Sequence, residues 1–380
     1  MPRLTRPSLV LFLCLFTSQA GLLVLSPVLP DIAREFGVST ATAGQLRAIS
    51  GLTGGLVALL VALAPRRPGL RELLSAGSAL VAAGSVASAA APSFAVLGAA
   101  QALLGVGIGL LVTAGIAAAG DWPAPEQRAH TLAWAIAGMP AAWIGGMPVV
   151  GAVAAVDWRV AWLALPAVAA LVTLVLVRRR PPDVRSERSS TSLATWRRPD
   201  VARFTAAELL ANAAWASTLT YAGALLLDSY AISPTVVALG LGGVAVAMVP
   251  GTFASRRKVP TRELLAALTA AQGGAVLLLG SVRPAAALTL GVLAAMAYVN
   301  GRRSMAASAL GMDAAPDDRV AVMAMRAAAN QFGYLLGAAA GGAALALGGF
   351  AGLGLALAAM FTAAAVIHAP ARAVTMPAAP

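Results

Sequence analysis

The chain has 380 residues, 59% of them hydrophobic and 11% charged, with a mean hydropathy of +0.82. A soluble domain carries about 25% charged residues, and no soluble fold of this length hides so much apolar surface. The formal net charge of +12 would suit nucleic acid only if the basic residues formed a folded face, and they lie instead in short stretches between apolar runs.

A helical crossing needs about 20 apolar residues, and helices satisfy their own backbone hydrogen bonds in lipid. The continuous runs, without the alternation of a barrel strand, predict an all-α membrane protein of twelve transmembrane helices. In chain order the predicted crossings are 8–30, 40–64, 73–91, 94–117, 130–155 and 159–177, then 204–227, 236–254, 264–282, 285–310, 320–346 and 351–368. Arg3 and Arg6 followed by Ser18-Gln19-Ala20 also fit a secretory leader, but apolar sequence continues to Leu29. Cys14, the single cysteine, excludes an internal disulfide framework.

If the N-terminus is cytoplasmic, 20 of the 27 basic residues fall on the cytoplasmic side, as the positive-inside rule requires. Arg34, Arg159 and Arg283 fall outside, and Arg47, Arg302, Arg303 and Arg326 lie within crossings. The expected address is therefore the cell membrane, with both termini cytoplasmic. Arginine in place of lysine amid abundant alanine suggests a GC-rich bacterial genome. The stretch Arg178–Arg203, with Pro181, Pro182 and a Ser/Thr cluster, reads as a cytoplasmic linker. It divides the chain into bundles at 1–177 and 204–380, with the linker at 178–203.

The two halves repeat. Arg71-Glu72-Leu73-Leu74 recurs as Arg262-Glu263-Leu264-Leu265, a shift of 191 residues. The same shift carries Arg128 onto Arg319, Trp143 onto Tyr334, Gly146 onto Gly337 and Gly151 onto Gly342. Two pseudo-symmetric six-helix bundles follow. In transporters built of parallel halves the solute site lies at their interface, and rocking of the halves gives alternating access.

These residues resemble the major facilitator superfamily over essentially the whole chain. Pro30-Asp31-Ile32-Ala33-Arg34-Glu35-Phe36-Gly37-Val38-Ser39 resembles the link between its first two helices, and Arg66-Arg67-Pro68-Gly69-Leu70-Arg71 stands at its first cytoplasmic loop motif. Gln101 to Gly109 is similar to the fourth-helix pattern, and Asp157-Trp158-Arg159 to the turn after helix five. The acidic residue of the loop motif is missing, and Gln101 stands where antiporters carry an arginine. Met147-Pro148-Val149-Val150-Gly151-Ala152 keeps Pro148 and Gly151 of the antiporter helix-five element. The resemblance implies a secondary transporter related to bacterial drug and metabolite exporters. Arg66, Arg67 and Arg71, with Arg257, Lys258 and Arg262 in the second half, would be its gating loops.

An ionisable side chain inside a crossing usually faces a cavity or a partner. Asn300, Arg302 and Arg303 are such residues if the tenth crossing continues to Leu310, which puts Arg302 about 12 Å inside its boundary. Adjacent residues point about 100° apart, so only one arginine faces a central cavity; Arg302 is favoured. A helix break at Gly301 would put both in an ordinary loop. Glu208, with Asn212 one turn on, is the acid placed within a crossing. It is open to three roles: counter-ion of Arg302 or Arg303, proton carrier, or interfacial residue. Arg326 and Asn330 form another i, i+4 pair. Gln19, Trp215, Tyr221, Tyr298 and Tyr334 can supply polar and aromatic contacts, although packing is the plainer role for each.

No Gly-Lys-Ser/Thr loop follows the glycines at 105, 107 and 109, which argues against a nucleotide-driven pump. His130 and His368 are the only histidines, which leaves a membrane enzyme without a catalytic constellation; no filter loop suggests a channel. The expected function is proton-coupled efflux of a drug or metabolite, with uptake or exchange of an organic anion as the alternative favoured by the embedded arginines. A small-molecule substrate and the lipid bilayer are the expected partners. The expected protein is a monomer without cofactor, metal or nucleic acid.

Overall fold

The computed structural model describes residues 6–63, 69–180, 195, 197–254, 260–314 and 319–369, and among them there is no strand. The helices are α1 (Arg6–Leu23), α2 (Leu25–Phe36), α3 (Thr40–Leu63), α4 (Leu70–Ala89), α5 (Phe94–Asp121), α6 (Arg128–Ala154), α7 (Trp158–Trp162) and α8 (Val168–Arg178) in the first half. The second half has α9 (Pro199–Tyr230), α10 (Pro234–Ala254), α11 (Arg262–Ser281), α12 (Ala286–Ala314) and α13 (Arg319–His368).

Two crossings are made of more than one helix, for identifiable reasons. α1 and α2 are one rod interrupted at Val24, where Pro27 and Pro30 bring no amide hydrogen to the preceding turn. α7 and α8 are joined by a π-helical turn, Leu163–Ala167, containing Pro166. α13 is the converse case, with two crossings in one run of helix. Its backbone leaves helical geometry at Gly348 and at Gly349, where φ is 57°, a value glycine adopts without penalty.

Nine stretches among the described residues are long and apolar enough to cross a bilayer, the last being Met325–His368 with 44 residues. That length is twice one crossing. α9 and α12 have the length, at 32 and 29 residues, and their polar residues lower their apolarity. With these two and both arms of α13, the chain is consistent with twelve crossings in two bundles.

The surface is inside out relative to a soluble protein. Val168, Leu171, Val175, Leu277, Leu355 and Val366 point outward, whereas Gln101, Glu208, Gln272 and Arg303 are buried. An apolar exterior of this extent marks a lipid-facing surface. Hydroxyls inside the helices donate to carbonyls one turn back, as Ser78 does to Leu74, Thr218 to Ala214 and Thr269 to Leu265. These hydroxyls are thereby satisfied within their own helix. Interhelical hydrogen bonds join α1 to its neighbours through Ser8–Thr131 and Thr17–Thr173.

The 191-residue shift reappears in the helices. It carries α4 onto α11, α5 onto α12 and the start of α6 onto the start of α13, all within the one or two residues by which helix ends are assigned. The repeated glycines do equivalent work. Gly146 faces Leu23 and Leu165 of its own bundle, and Gly337 faces Ala213 of its own bundle. Gly151 meets Ala238 of the other half, and Gly342 meets Ala41 and Gln45 of the other half.

Those last contacts belong to the seam between bundles. α3 packs along α13, α6 along α10, and α2 along α9. At Gly51 an added Cβ would lie 2.5 Å from the Leu335 nitrogen and 2.8 Å from the Tyr334 Cβ, so only glycine lets these helices approach so closely. Gln45 Nε2 donates across the seam to the Ala338 carbonyl at 3.0 Å, and Ser26 Oγ to the Leu219 carbonyl at 2.8 Å. The seam lies toward the end of the molecule bearing the α2–α3 link. α1, by contrast, packs against α5, α6 and α8 of its own bundle.

Candidate functional site

α12 runs unbroken from Ala286 to Ala314, so Arg302 and Arg303 both lie inside a helix, the former about 18 Å from its end. The phase of the helix separates them. Arg303 is 1% exposed and turns into its own bundle, while Arg302 is half-buried on a neighbouring face. The sequence favours Arg302 as the inward residue, but the phase of the helix gives the buried contacts to Arg303.

Those contacts form a polar cluster within the second bundle. Arg303 Nη1 donates to Glu208 Oε1 at 2.7 Å, Nη2 to Asn212 Oδ1 at 3.0 Å, and Nε to Asn300 Oδ1 at 3.4 Å. Arg326 Nε donates to Glu208 Oε2 at 3.1 Å, and its Nη2 to the Ser304 hydroxyl and carbonyl at 3.2 Å. Gln272 Nε2 reaches Asn300 Oδ1 at 3.4 Å, and His368 Nε2 stands 3.5 Å from Glu208 Oε1. Four helices thus converge: α9, α11, α12 and both ends of α13. Glu208 is wholly buried, yet each oxygen meets a guanidinium, the geometry in which a buried carboxylate is tolerated.

Of the other candidates, Gln19 sits in the first bundle, where Oε1 accepts from Trp143 Nε1 at 3.1 Å. Tyr221 lies at the seam and donates its hydroxyl to the Ala338 carbonyl at 3.2 Å. Trp215 packs half-buried against the core. Tyr298 is also half-buried, its backbone against Gly251 of α10, and Asn330 lies half-buried on α13. Arg66, Arg67, Arg257 and Lys258 lie outside the described residues. Arg71 Nη2 donates to the Arg178 carbonyl at 2.9 Å, tying α4 to the end of α8. Arg262 borders a small cavity with Asp200, Arg203 and His368.

Arg47 is the residue that sequence reasoning undervalued. It is 1% exposed, on the α3 face toward the other bundle, and its guanidinium carbon lies 5.6 Å from the centre of the Tyr334 ring. Among the described residues none of its three guanidinium nitrogens has a hydrogen-bond partner. A desolvated cation–π contact is worth about 2 kcal/mol, whereas burying one ion costs several kcal/mol. Tyr334 alone does not compensate this charge.

At the seam end of the first bundle, Arg159 holds three helices together. Its Nη2 lies 2.6 Å from Glu35 Oε1, and its Nη1 donates to the Ala89 and Ala91 carbonyls at 2.9 and 2.8 Å. Trp158 Nε1 donates to the other oxygen of Glu35. The link between the first two crossings and the turn after the fifth crossing, separate landmarks in the sequence, thus form one clasp.

The family model described as Major Facilitator Superfamily matches residues 11–321. The chain belongs to the major facilitator superfamily. Among curated relatives, the "Chloramphenicol resistance protein" of Streptomyces lividans is 29% identical over 289 residues, covering 70% of this chain and 71% of that one. Among solved structures, a bacterial homolog to the human lysosomal transporter Spinster, inward-facing and unoccupied, has a TM-score of 0.72 at 14% identity and covers 95% of both chains. A D-xylose-proton symporter has a TM-score of 0.71 at 16% identity, covering 96% of both. At these identities the two structures show the shared fold.

Family membership makes this a membrane transporter. Against that frame, Gln101 is a packing residue: its Nε2 donates to Ser88 Oγ at 2.9 Å, joining α5 to α4 inside the first bundle. Pro148 and Gly151 lie on the α6 face that meets α10, Pro148 beside Gly242 and Gly151 beside Ala238. His368 and Gln272 entered no sequence-based site. Neither has a charged neighbour in the chain, and the packing of α13 and α11 around α9 is what brings them to the cluster.

Proposed function

We propose that this transporter exports a small organic solute across the cell membrane by alternating access, with inward proton movement as the driving force and both termini in the cytoplasm. The observation that carries the reading is the one-sided seam. Among the described residues the bundles touch through glycines and carbonyl contacts from the α2–α3 end, which in this orientation faces outward, to Gly54 and Gly55 beyond the middle of α3, which supports a path closed outward and open toward the cytoplasm. The likeness to a chloramphenicol resistance protein supports export as the direction.

Glu208 would carry the proton. A proton arriving at Glu208 would release Arg326, and Arg326 shares α13 with Gln331, Tyr334, Ala338 and Gly342, all at or beside the seam. The same helix therefore links the charge cluster to the contact that must open. Uptake of an organic anion, the second expectation from the sequence, uses the same path in reverse.

Purified protein in liposomes loaded with labelled chloramphenicol tests the proposal, with a pH gradient of either sign imposed. Export is expected as gradient-dependent movement of the label against its concentration, abolished by a protonophore. Movement that ignores the gradient would remove proton coupling. Accumulation only in the opposite direction would replace export by uptake.

A further inference from the structure

Two kinds of buried arginine occur in this protein. Arg303 has spent its donors on Glu208, Asn212 and Asn300. Arg47 is equally buried, yet offers all five N–H donors to an environment that holds no acceptor for them among the described residues. The polar side chains nearby turn their donors onto backbone carbonyls, and none accepts from Arg47. Gln45 donates to the Ala41 and Ala338 carbonyls, Ser50 to the Arg47 carbonyl, and Tyr221 to the Ala338 carbonyl.

The helices that pack around it offer no counter-charge. α3 and α13 contain no Asp or Glu at all, and the acid of α5 is Asp121 at its last position. On α2, Asp31 is paired with Arg34 and Glu35 with Arg159; on α9, Glu208 is held by Arg303 and Arg326, while Asp200 in its first turn and the exposed Asp228, about two turns beyond Tyr221, form no ion pair with Arg47. Arg47 also stands between the bundles, with Tyr334 of α13 over its guanidinium and Tyr221 of α9 as the other neighbour of its charge. Among the described residues no partner for this charge is present, and a partner would have to reach the seam.

We infer that Arg47 anchors an anionic group of the solute, so that the transporter takes organic monocarboxylates with an aromatic or apolar body. The guanidinium fork matches the two oxygens of a carboxylate, and the tyrosine rings offer the apolar body a flat wall. When the seam parts, the fork is presented to the path between the bundles; when the seam closes without solute, the cation is buried alone. Empty closure is thereby disfavoured relative to loaded closure, as an exchanger or coupled carrier requires. This inference deepens the export reading and rests on it for the movement of the seam, although anion binding itself does not require transport.

The test is binding to purified protein in detergent, where no gradient exists. Benzoate, salicylate and cinnamate are each compared with the corresponding neutral amide, using the shift in thermal unfolding and the quenching of tryptophan fluorescence. Wild type is expected to bind at least one carboxylate and not its amide. Arg47→Gln is expected to bind that carboxylate on the order of tenfold or more weakly, and Arg47→Lys to recover part of the loss. Equal binding by wild type and Arg47→Gln overturns the inference, as does a wild type that binds none of the three carboxylates. If Arg47→Gln does not elute as a folded protein, Arg47→Lys and Tyr334→Leu decide, and unweakened carboxylate binding in both overturns it. Carboxylate binding without gradient-driven movement in liposomes sinks the export reading and leaves the anion site standing; chloramphenicol export without carboxylate binding does the reverse.

Discussion

Changing Glu208 to glutamine keeps the shape of the buried cluster and removes its only negative charge. Arg303, 1% exposed, then holds a guanidinium among neutral acceptors. Losing one member of a buried pair costs about 3–5 kcal/mol. Arg326 is 21% exposed and turns toward water, so its lost bond adds about 1 kcal/mol or less. For a bundle of this size each kcal/mol lowers the unfolding temperature by about 2–4 °C, and a fall on the order of 10 °C is expected. The double variant Glu208→Leu, Arg303→Leu removes both buried charges and should recover most of the loss, because an apolar replacement of a buried pair is close to neutral. Tryptophan fluorescence of detergent-purified protein, heated at one fixed rate because such unfolding is irreversible, measures this. Wild-type stability in Glu208→Gln, or a double variant no more stable than the single one, would refute the counter-ion account.

Two further outcomes follow from the seam and the clasp. Gly51→Val should insert and fold but lose transport by on the order of tenfold or more, since the two helices pack closely only over a small residue; liposome transport beside a normal gel-filtration profile checks it. Arg159→Ala should lower stability by about 1–2 kcal/mol, because its partners are partly solvated while two helix-end carbonyls lose their donor. The unfolding temperature of that variant should fall, while a binding titration should give wild-type solute affinity.

The helices and the repeat were legible because lipid imposes long apolar runs and duplication preserved their spacing. The boundaries came close for most crossings, but α9 begins at Pro199, five residues before the expected start of that crossing. Charge places Asp200 and Arg203 in the linker, and the helix carries them past the apolar region. Arg302 and Arg303 show the harder limit. Both are arginines in one helix, and without a strong apolar stripe nothing in their order says which face turns toward Glu208. His368 was invisible for a different reason: it lies 160 residues from Glu208 in the chain, and only the return of α13 against α9 brings them together. For Arg47, the sequence itself shows that the stretches forming α3 and α13 contain no acid. That this mattered depended on knowing that these two helices face each other.

Gly151 and Gly342, related by the 191-residue shift, close two different edges of the same joint. Widening either one alone would leave the opposite edge shut, and the halves would then swing open about that remaining edge like a door on one jamb. A pair of single substitutions can therefore separate the two edges of the movement, and the duplication itself supplies the matched control.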